Sequence, residues 1–372
     1  MTQNKTTRAR HRKVRYAVVG LGYIAQAAVL PAFAHAGRNS ELAALVSGDP
    51  VKRRELAKRY RVPEAYSYEE YDRCLRGGGI DAVYIALPNN LHCEYATRAA
   101  RAGVHVLCEK PMAVTEAECE TMIAAASEHR VKLMVAYRLH FERATLEVIE
   151  AVRAGRIGDP KVFTSTFTMH VERGNIRLRE DLGGGTLYDI GIYCINAARN
   201  LFRSEPVEVR ALCAGARGDV EEAAGAAMLF PGGRLATFAC GFGSEKVSTY
   251  RIVGTRGEIT ADPGYELAAT LKLRSTIDGK ARSRSFPKRD QFAPELVHFS
   301  DCVLGDKQPE PSGREGLADV RVIRALYRSA KSGRMEKLAR YARRRRPQLR
   351  QEMRRAPVRM PSMVHARPPS GG

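Results

Sequence analysis

Val14 to Val19 is a compact, largely apolar strand pattern that ends abruptly in Gly20-Leu21-Gly22-Tyr23-Ile24-Ala25. A strand that turns on glycines into a helix, here Ala27 to His35 with Pro31 near its start, leaves backbone N–H groups converging on one point, where the helix dipole favours an anion. In this G-x-G-x-x-A spacing the first glycine permits the tight turn and the second lets the backbone approach a pyrophosphate. Ala25 allows close helix packing. Gly20, Leu21, Gly22, Tyr23 and Ile24 are therefore expected to cradle the phosphates of a dinucleotide.

The pattern then repeats. Glu41 to Ser47 reads as a strand, Val51 to Tyr60 as a helix, Ala82 to Leu87 as a strand, His92 to Ala102 as a helix and His105 to Cys108 as a strand. Leu133 to Arg138 adds one more strand. Successive βα units predict an α/β fold, a doubly wound parallel sheet of Rossmann type. Ligands of such sheets lie beyond the carboxyl ends of the strands, which brings in Leu87, Pro88, Asn89 and His92 after one strand, Glu109 and Lys110 after the next, and Arg138 after the last. Pro111 forces a turn or a cis peptide that aims Lys110.

An NAD site usually carries an acid at the end of the second strand to hold the ribose hydroxyls. Here the strand ends in Ser47-Gly48-Asp49, with Lys52, Arg53 and Arg54 close behind. A small hydroxyl beside basic residues suits a 2′-phosphate, so NADP is expected over NAD. Asp49 is the residue that argues the other way. From the residues alone, His92 reads equally as a turn-capping residue, and Lys52 to Arg54 as a solvated helix face.

After Gly158 the periodicity changes to two. Val162 to Val171, Val207 to Cys213, Ala223 to Phe230, Leu235 to Phe242, Tyr250 to Ala261 and Leu267 to Leu273 are expected strands. They predict a second, mainly antiparallel α+β domain whose large open sheet needs a cover, supplied by another subunit in a homodimer or homotetramer. The division expected is a basic arm (1–13), the nucleotide domain (14–137), the substrate and oligomerisation domain (138–333) and a basic, disordered tail (334–372). Within the second domain, Gly183-Gly184-Gly185 runs into a helix bearing Asp189 and Tyr193. Four residues apart, they share one helix face and form a candidate acid/base pair. Structural duty explains them as well, with Tyr193 packed in an interface and Asp189 set against the helix dipole.

The formal charge of +20 suggests nucleic acid until it is located along the chain. Six Lys/Arg fall in the first fifteen residues and twelve between 334 and 372, which leaves the body close to neutral. The expectation is a solvated tail with at most weak affinity for nucleic acid or anionic surfaces. The eight cysteines lack metal-ligand spacing and read as reduced, buried hydrophobes, with no metal site expected. No apolar run approaches the ~20 residues of a membrane span, so a cytoplasmic protein is expected.

Together, Gly20-Leu21-Gly22, Pro88-Asn89-Asn90-Leu91-His92, Glu109-Lys110-Pro111 and Gly183-Gly184-Gly185 through Asp189-Ile190-Gly191-Ile192-Tyr193 resemble the glucose-fructose oxidoreductase, inositol dehydrogenase and rhizopine catabolism (Gfo/Idh/MocA) family. Ala44-Leu45-Val46-Ser47-Gly48 and Arg177-Leu178-Arg179 look closest to its glucose-fructose oxidoreductase members. The resemblance implies hydride transfer between NADP and a sugar or polyol. Lys110 matches the family's catalytic lysine and Asp189 its aspartate, while Tyr193 falls where many members have histidine. Ser47 and Lys52 match positions that hold the 2′-phosphate.

A free tyrosine, with a pKa of ~10, is a poor base at neutral pH. A neighbouring ammonium makes it a better one. The resemblance thus casts Tyr193 as proton acceptor, Lys110 as electrostatic partner and Asp189 as a holder of Lys110 or a sugar hydroxyl. Arg138, Arg177 and Arg179 become candidate cofactor or sugar contacts, with surface ion pairs as the alternative. The glucose-fructose enzymes also carry a long proline-rich N-terminal arm that helps retain NADP, whereas little more than a dozen residues precede the first strand here. Oxidation of a dihydrodiol or other non-sugar alcohol shares every motif, and an NADP-sensing regulator with a nucleic-acid-binding tail is a third reading.

Overall fold

A computed structural model describes residues 12–370 except Arg344. The first half forms a six-stranded, wholly parallel sheet: β1 (Val14–Val19), β2 (Ser40–Val46), β3 (Glu64–Tyr66), β4 (Ala82–Ile85), β5 (His105–Glu109) and β6 (Leu133–Ala136). Their order is 3-2-1-4-5-6. β1 therefore lies between β2 and β4, and the strand order reverses beside it. Helices on both faces bury β1, β4, β5 and β6 almost completely, which is why they read as continuous apolar runs. The first helix is tighter to define than expected: a π-helical turn (Ala25–Val29) precedes an α-helix (Leu30–Ala36) that accepts Pro31 at its start.

The second half holds a nine-stranded sheet in which eight strands are β7 (Pro160–His170), β8 (Glu208–Ala214), β9 (Ala223–Phe230), β10 (Arg234–Gly241), β11 (Gly243–Gly254), β12 (Gly257–Ala261), β13 (Leu271–Ile277) and β14 (Lys280–Phe286). The two-residue β15 (Glu336–Lys337) completes it. Its order is 14-13-12-11-7-10-9-8-15, antiparallel except where β10 runs parallel to β7. One face packs on the helices Ile192–Phe202 and Gly313–Ser332, with Phe163, Met228 and Phe238 buried between. The register places Val162, Leu212, Leu229, Leu235 and Val247 together on the other face, where they stand exposed.

Three expectations need correction. Tyr250 to Ala261 is not one strand but a hairpin, because Thr255-Arg256 turns the chain between β11 and β12. The strand expected at Leu267 to Leu273 lies at Leu271–Ile277, and its partner Lys280–Phe286 was not anticipated, since an edge strand exposed on both faces carries no apolar alternation.

The tail, in turn, does not extend into solvent over its described residues. Arg343 pairs with Glu310 at 2.6 Å and with Glu315, and Arg346 pairs with Glu205 at 2.6 Å. These carboxylates are buried and need cationic partners, so the arginines are drawn out of water. All eight cysteines are free, but Cys213 is exposed and Cys93 half-buried rather than buried. Among the described residues no helix is long and apolar enough to cross a membrane.

Candidate active site

The ends of β1, β4, β5 and β6 open onto a crevice of about 680 Å³, whose opposite wall comes from the second domain. Gly20 sits at φ +91°, and a Cβ there would lie 2.5 Å from the Ala86 carbonyl oxygen, so this turn needs glycine. Gly22, Tyr23 and Ile24 line the crevice, and no atom comes within 4 Å of where a Gly22 Cβ would point. Leu21 is buried; it and Gly20 shape the loop rather than line the space. The residues present thus fit a pyrophosphate carried over the glycine loop.

At the second strand the hydroxyl of Ser47, a buried residue, accepts a hydrogen bond from the Asp49 amide at 3.2 Å. Asp49 is occupied twice. One carboxylate oxygen caps the helix Pro50–Tyr60 through the amides of Val51 and Lys52, and the other lies 2.8 Å from His365 Nδ1. His365 and those amides hold its pKa below the usual carboxylate range. Lys52 lines the crevice, as do Leu87, Pro88 and Asn89.

His92 borders the crevice too, but its ring nitrogens each lie 2.9 Å from a carbonyl oxygen, of Pro111 and of Leu87. Burial lowers its pKa. A neutral ring donates to one of the two carbonyls, and the residue braces the β4 and β5 loops. Asn89 Nδ2 donates to the Gly183 carbonyl at 2.7 Å, which ties the β4 loop to the glycine turn of the second domain. A side chain at Gly183 would press on Asn89 and Val114.

The glycine turn delivers Asp189 and Tyr193 to the crevice. Asp189 lies in a π-helical turn (Leu187–Gly191) that continues into Ile192–Phe202; such turns recur at functional sites. Lys110, which precedes Pro111 across a cis bond, donates from Nζ to the Asp189 backbone oxygen at 2.7 Å and to its carboxylate at 3.3 Å. Arg177 Nε donates to the other carboxylate oxygen at 2.7 Å. Burial opposes the charge on each partner. At Asp189 the cations Arg177 and Lys110 outweigh it and hold the pKa low, and at Lys110 the neighbours Tyr193, Asp189 and Glu109 outweigh it and raise the pKa. Glu109 itself is pushed up by burial and accepts from the Tyr84 hydroxyl at 2.8 Å.

Tyr193 receives two cations. Lys110 Nζ lies 4.8 Å from its ring centre and the Arg138 guanidinium carbon 5.0 Å, with Arg138 Nε donating to the phenol oxygen at 3.3 Å. Arg138 is buried and fixed by the Tyr265 carbonyl at 2.5 Å and by Gln291. Its placement against Tyr193 was not foreseen; the two are 55 residues apart, and no local spacing signals the pairing. Phe167, edge-on to Tyr193 at 5.5 Å, completes an apolar wall. Arg179, by contrast, forms an exposed ion pair with Asp181 and does not line the crevice.

Comparison with known proteins gives the family of the chain. The oxidoreductase family with an NAD-binding Rossmann fold matches residues 14–137, and the GFO/IDH/MocA C-terminal domain matches residues 145–260. A D-xylose 1-dehydrogenase [NADP(+)] of Haloarcula marismortui is 32% identical over 86% of this chain and 91% of that protein. The chain belongs to the Gfo/Idh/MocA oxidoreductases. Among solved structures, it is similar to the aldose-aldose oxidoreductase from Caulobacter crescentus complexed with glycerol, at 40% identity and a TM-score of 0.84 over 88% of this chain and all of that one. A 3-ketoreductase from Actinomadura kijaniata in complex with NADP and TDP-benzene follows at 27% identity and a TM-score of 0.79, over 85% of this chain and 98% of that one.

Proposed function

We propose that this oxidoreductase moves a hydride between NADP and a sugar or polyol, oxidising an aldose at C1 or reducing a ketose. The observation that carries the reading is the convergence of Lys110 from the nucleotide domain with Asp189 and Tyr193 from the second domain on one wall of the crevice that begins at Gly22. When bound, NADP supplies the hydride acceptor. Tyr193 takes the hydroxyl proton as the C–H bond breaks. Lys110 and Arg138 favour the phenolate form of Tyr193 that accepts this proton, and they stabilise the negative charge that develops on the substrate oxygen. Asp189, held between Lys110 and Arg177, fixes the ammonium rather than exchanging a proton. Phe167 and the buried Tyr265 keep water from the reacting carbon. The relatives named for xylose and aldose chemistry support a sugar substrate.

NADP rather than NAD follows from Asp49, whose carboxylate is engaged by the helix cap and His365, together with Lys52 at the crevice edge. The test is a comparison of kcat/KM for the two cofactors in the parent and in Lys52→Ala. A charge-assisted contact is worth ~1.5–3 kcal/mol, so the NADP value should fall about tenfold or more with the NAD value little changed. A parent that prefers NAD overturns the assignment. The exposed apolar face of the nine-stranded sheet favours burial against a second copy, in a homodimer or homotetramer.

A further inference from the structure

The last described segment of the chain lies where the nucleotide reading needs an opening. From Pro357 onward the chain crosses the Rossmann domain, and residues 365–370 form part of the crevice wall. Arg59 donates to the Ser362 carbonyl at 2.7 Å. The side chain of Gln26, wholly buried in the first turn after the glycine loop, pairs with Val364 in both directions: its Nε2 donates to the Val364 oxygen, and its Oε1 accepts from the Val364 amide, each at 2.8 Å. The same Nε2 also reaches the Leu21 oxygen at 2.9 Å. His365 then turns through a left-handed backbone (φ +45°) to meet Asp49. Beyond Arg367, the Glu172 amide donates to the Pro369 oxygen at 2.9 Å. The segment is thus tied to the glycine loop and the second-strand loop on one side, and to the second domain on the other.

Two features show that this is a fitted element. Without Val364, the oxygen of a buried glutamine loses its partner and the nitrogen keeps only Leu21, and buried amides are ordinarily paired. Upstream, the ion pairs of Arg343 and Arg346 hold the segment close to the crevice, so it reseats as an intramolecular event at high effective concentration. Prolines 357, 361, 368 and 369 reduce the entropy lost in doing so.

We propose that Val358–Ser370 is a component of the cofactor site: a strap across the crevice that must lift for a dinucleotide phosphate to enter or leave, latched by Gln26–Val364 and Asp49–His365. This rests on the NADP reading above. The strap makes release slow while leaving the reacting groups at Tyr193 and Lys110 untouched, since none of its ties reaches them. Arg367, like Lys52, adds a cation to the crevice lining, as suits an anionic ligand.

The experiment uses the full chain. Protein loaded with NADPH is mixed with excess NADP+, and the loss of nicotinamide fluorescence gives the release rate for the parent and for Val364→Pro/His365→Ala, which removes the amide donor and the imidazole together. Release from the variant should be faster by about tenfold or more, the change appearing in the off-rate. Equal release rates overturn the strap while leaving the cofactor reading intact. Failure of both proteins to bind NADPH overturns the cofactor reading and the strap with it. A second measurement does not depend on the variant: in the parent, NADPH should slow hydrogen exchange of the Val364 amide and its neighbours, and unchanged exchange in the loaded protein counts equally against the proposal.

Discussion

Two clusters of charge lie less than one helix apart and do opposite things. At the crevice, Lys110, Arg177 and Asp189 surround one carboxylate with two cations, and Lys110 keeps a sliver of exposure, 13% of its side chain. At the far end of the helix Ile192–Phe202, Arg199 is fully enclosed and spends its guanidinium on Glu205, Glu315 and Asp319. Tyr137 and Asn196 supply the remaining donors to Asp319. The second cluster is the denser of the two, yet it meets no space a substrate could use. Density of charge, then, does not mark a site. What marks it is a charged group left facing a crevice with its geometry held by others, as Asp189 holds Lys110. The closed cluster serves to pin helices and, through Arg343 and Arg346, the tail.

That contrast is most severely tested at Tyr193. Tyr193→Phe removes one oxygen from the open cluster and should lower kcat by about 10²–10⁴-fold, with thermal unfolding nearly unchanged. A variant that keeps normal turnover would remove Tyr193 from the chemistry. The closed cluster should behave in reverse. Arg199→Ala leaves buried carboxylates without their counter-ion and should cost about 3–5 kcal/mol of unfolding free energy, measurable by denaturant titration. A loss below about 1 kcal/mol, the range of exposed ion pairs, would show that the cluster is not the scaffold described.

The smallest effect is on pH dependence. Burial would raise the pKa of Glu205, but Arg199 and Arg346 outweigh it and hold the group down to about 2. A carboxylate lowered in the folded state contributes stability above its unfolded pKa, ~4.3, and loses it as pH falls through that value toward the folded one. Unfolding free energy should therefore decline on acidification from about pH 5 toward 2. Glu205→Gln should flatten that limb, and an unaltered slope would contradict the pairing.

How much of this could be read from sequence depended on whether the signal was local. The glycine loop, the Glu109-Lys110-Pro111 turn and the Asp189/Tyr193 spacing each lie within a few residues, and each element forms where expected. The contacts that organise the site span the chain: Lys110 to Asp189 over 79 residues, Arg138 to Tyr193 over 55, and Gln26 to Val364 over 338. No periodicity announces such pairs. The resemblance to a known family supplied the first, while the other two emerged only from the fold. β14 was missed because Lys-Ala-Arg-Ser-Arg-Ser offers no apolar face to alternate. The tail was misread because its composition is that of a solvated segment; its order comes from buried acids contributed by two distant parts of the chain, Glu205 and the stretch bearing Glu310 and Glu315.

Hydride transfer between NADP and a sugar in this crevice is read out by following reduced-nicotinamide absorbance as purified protein is mixed with NADP+ and a panel of aldoses and polyols, and with NADPH and a panel of ketoses. Sugar-dependent turnover is expected with at least one of them, strongly diminished in Tyr193→Phe. No response from any sugar or polyol with either NADP or NAD would contradict it.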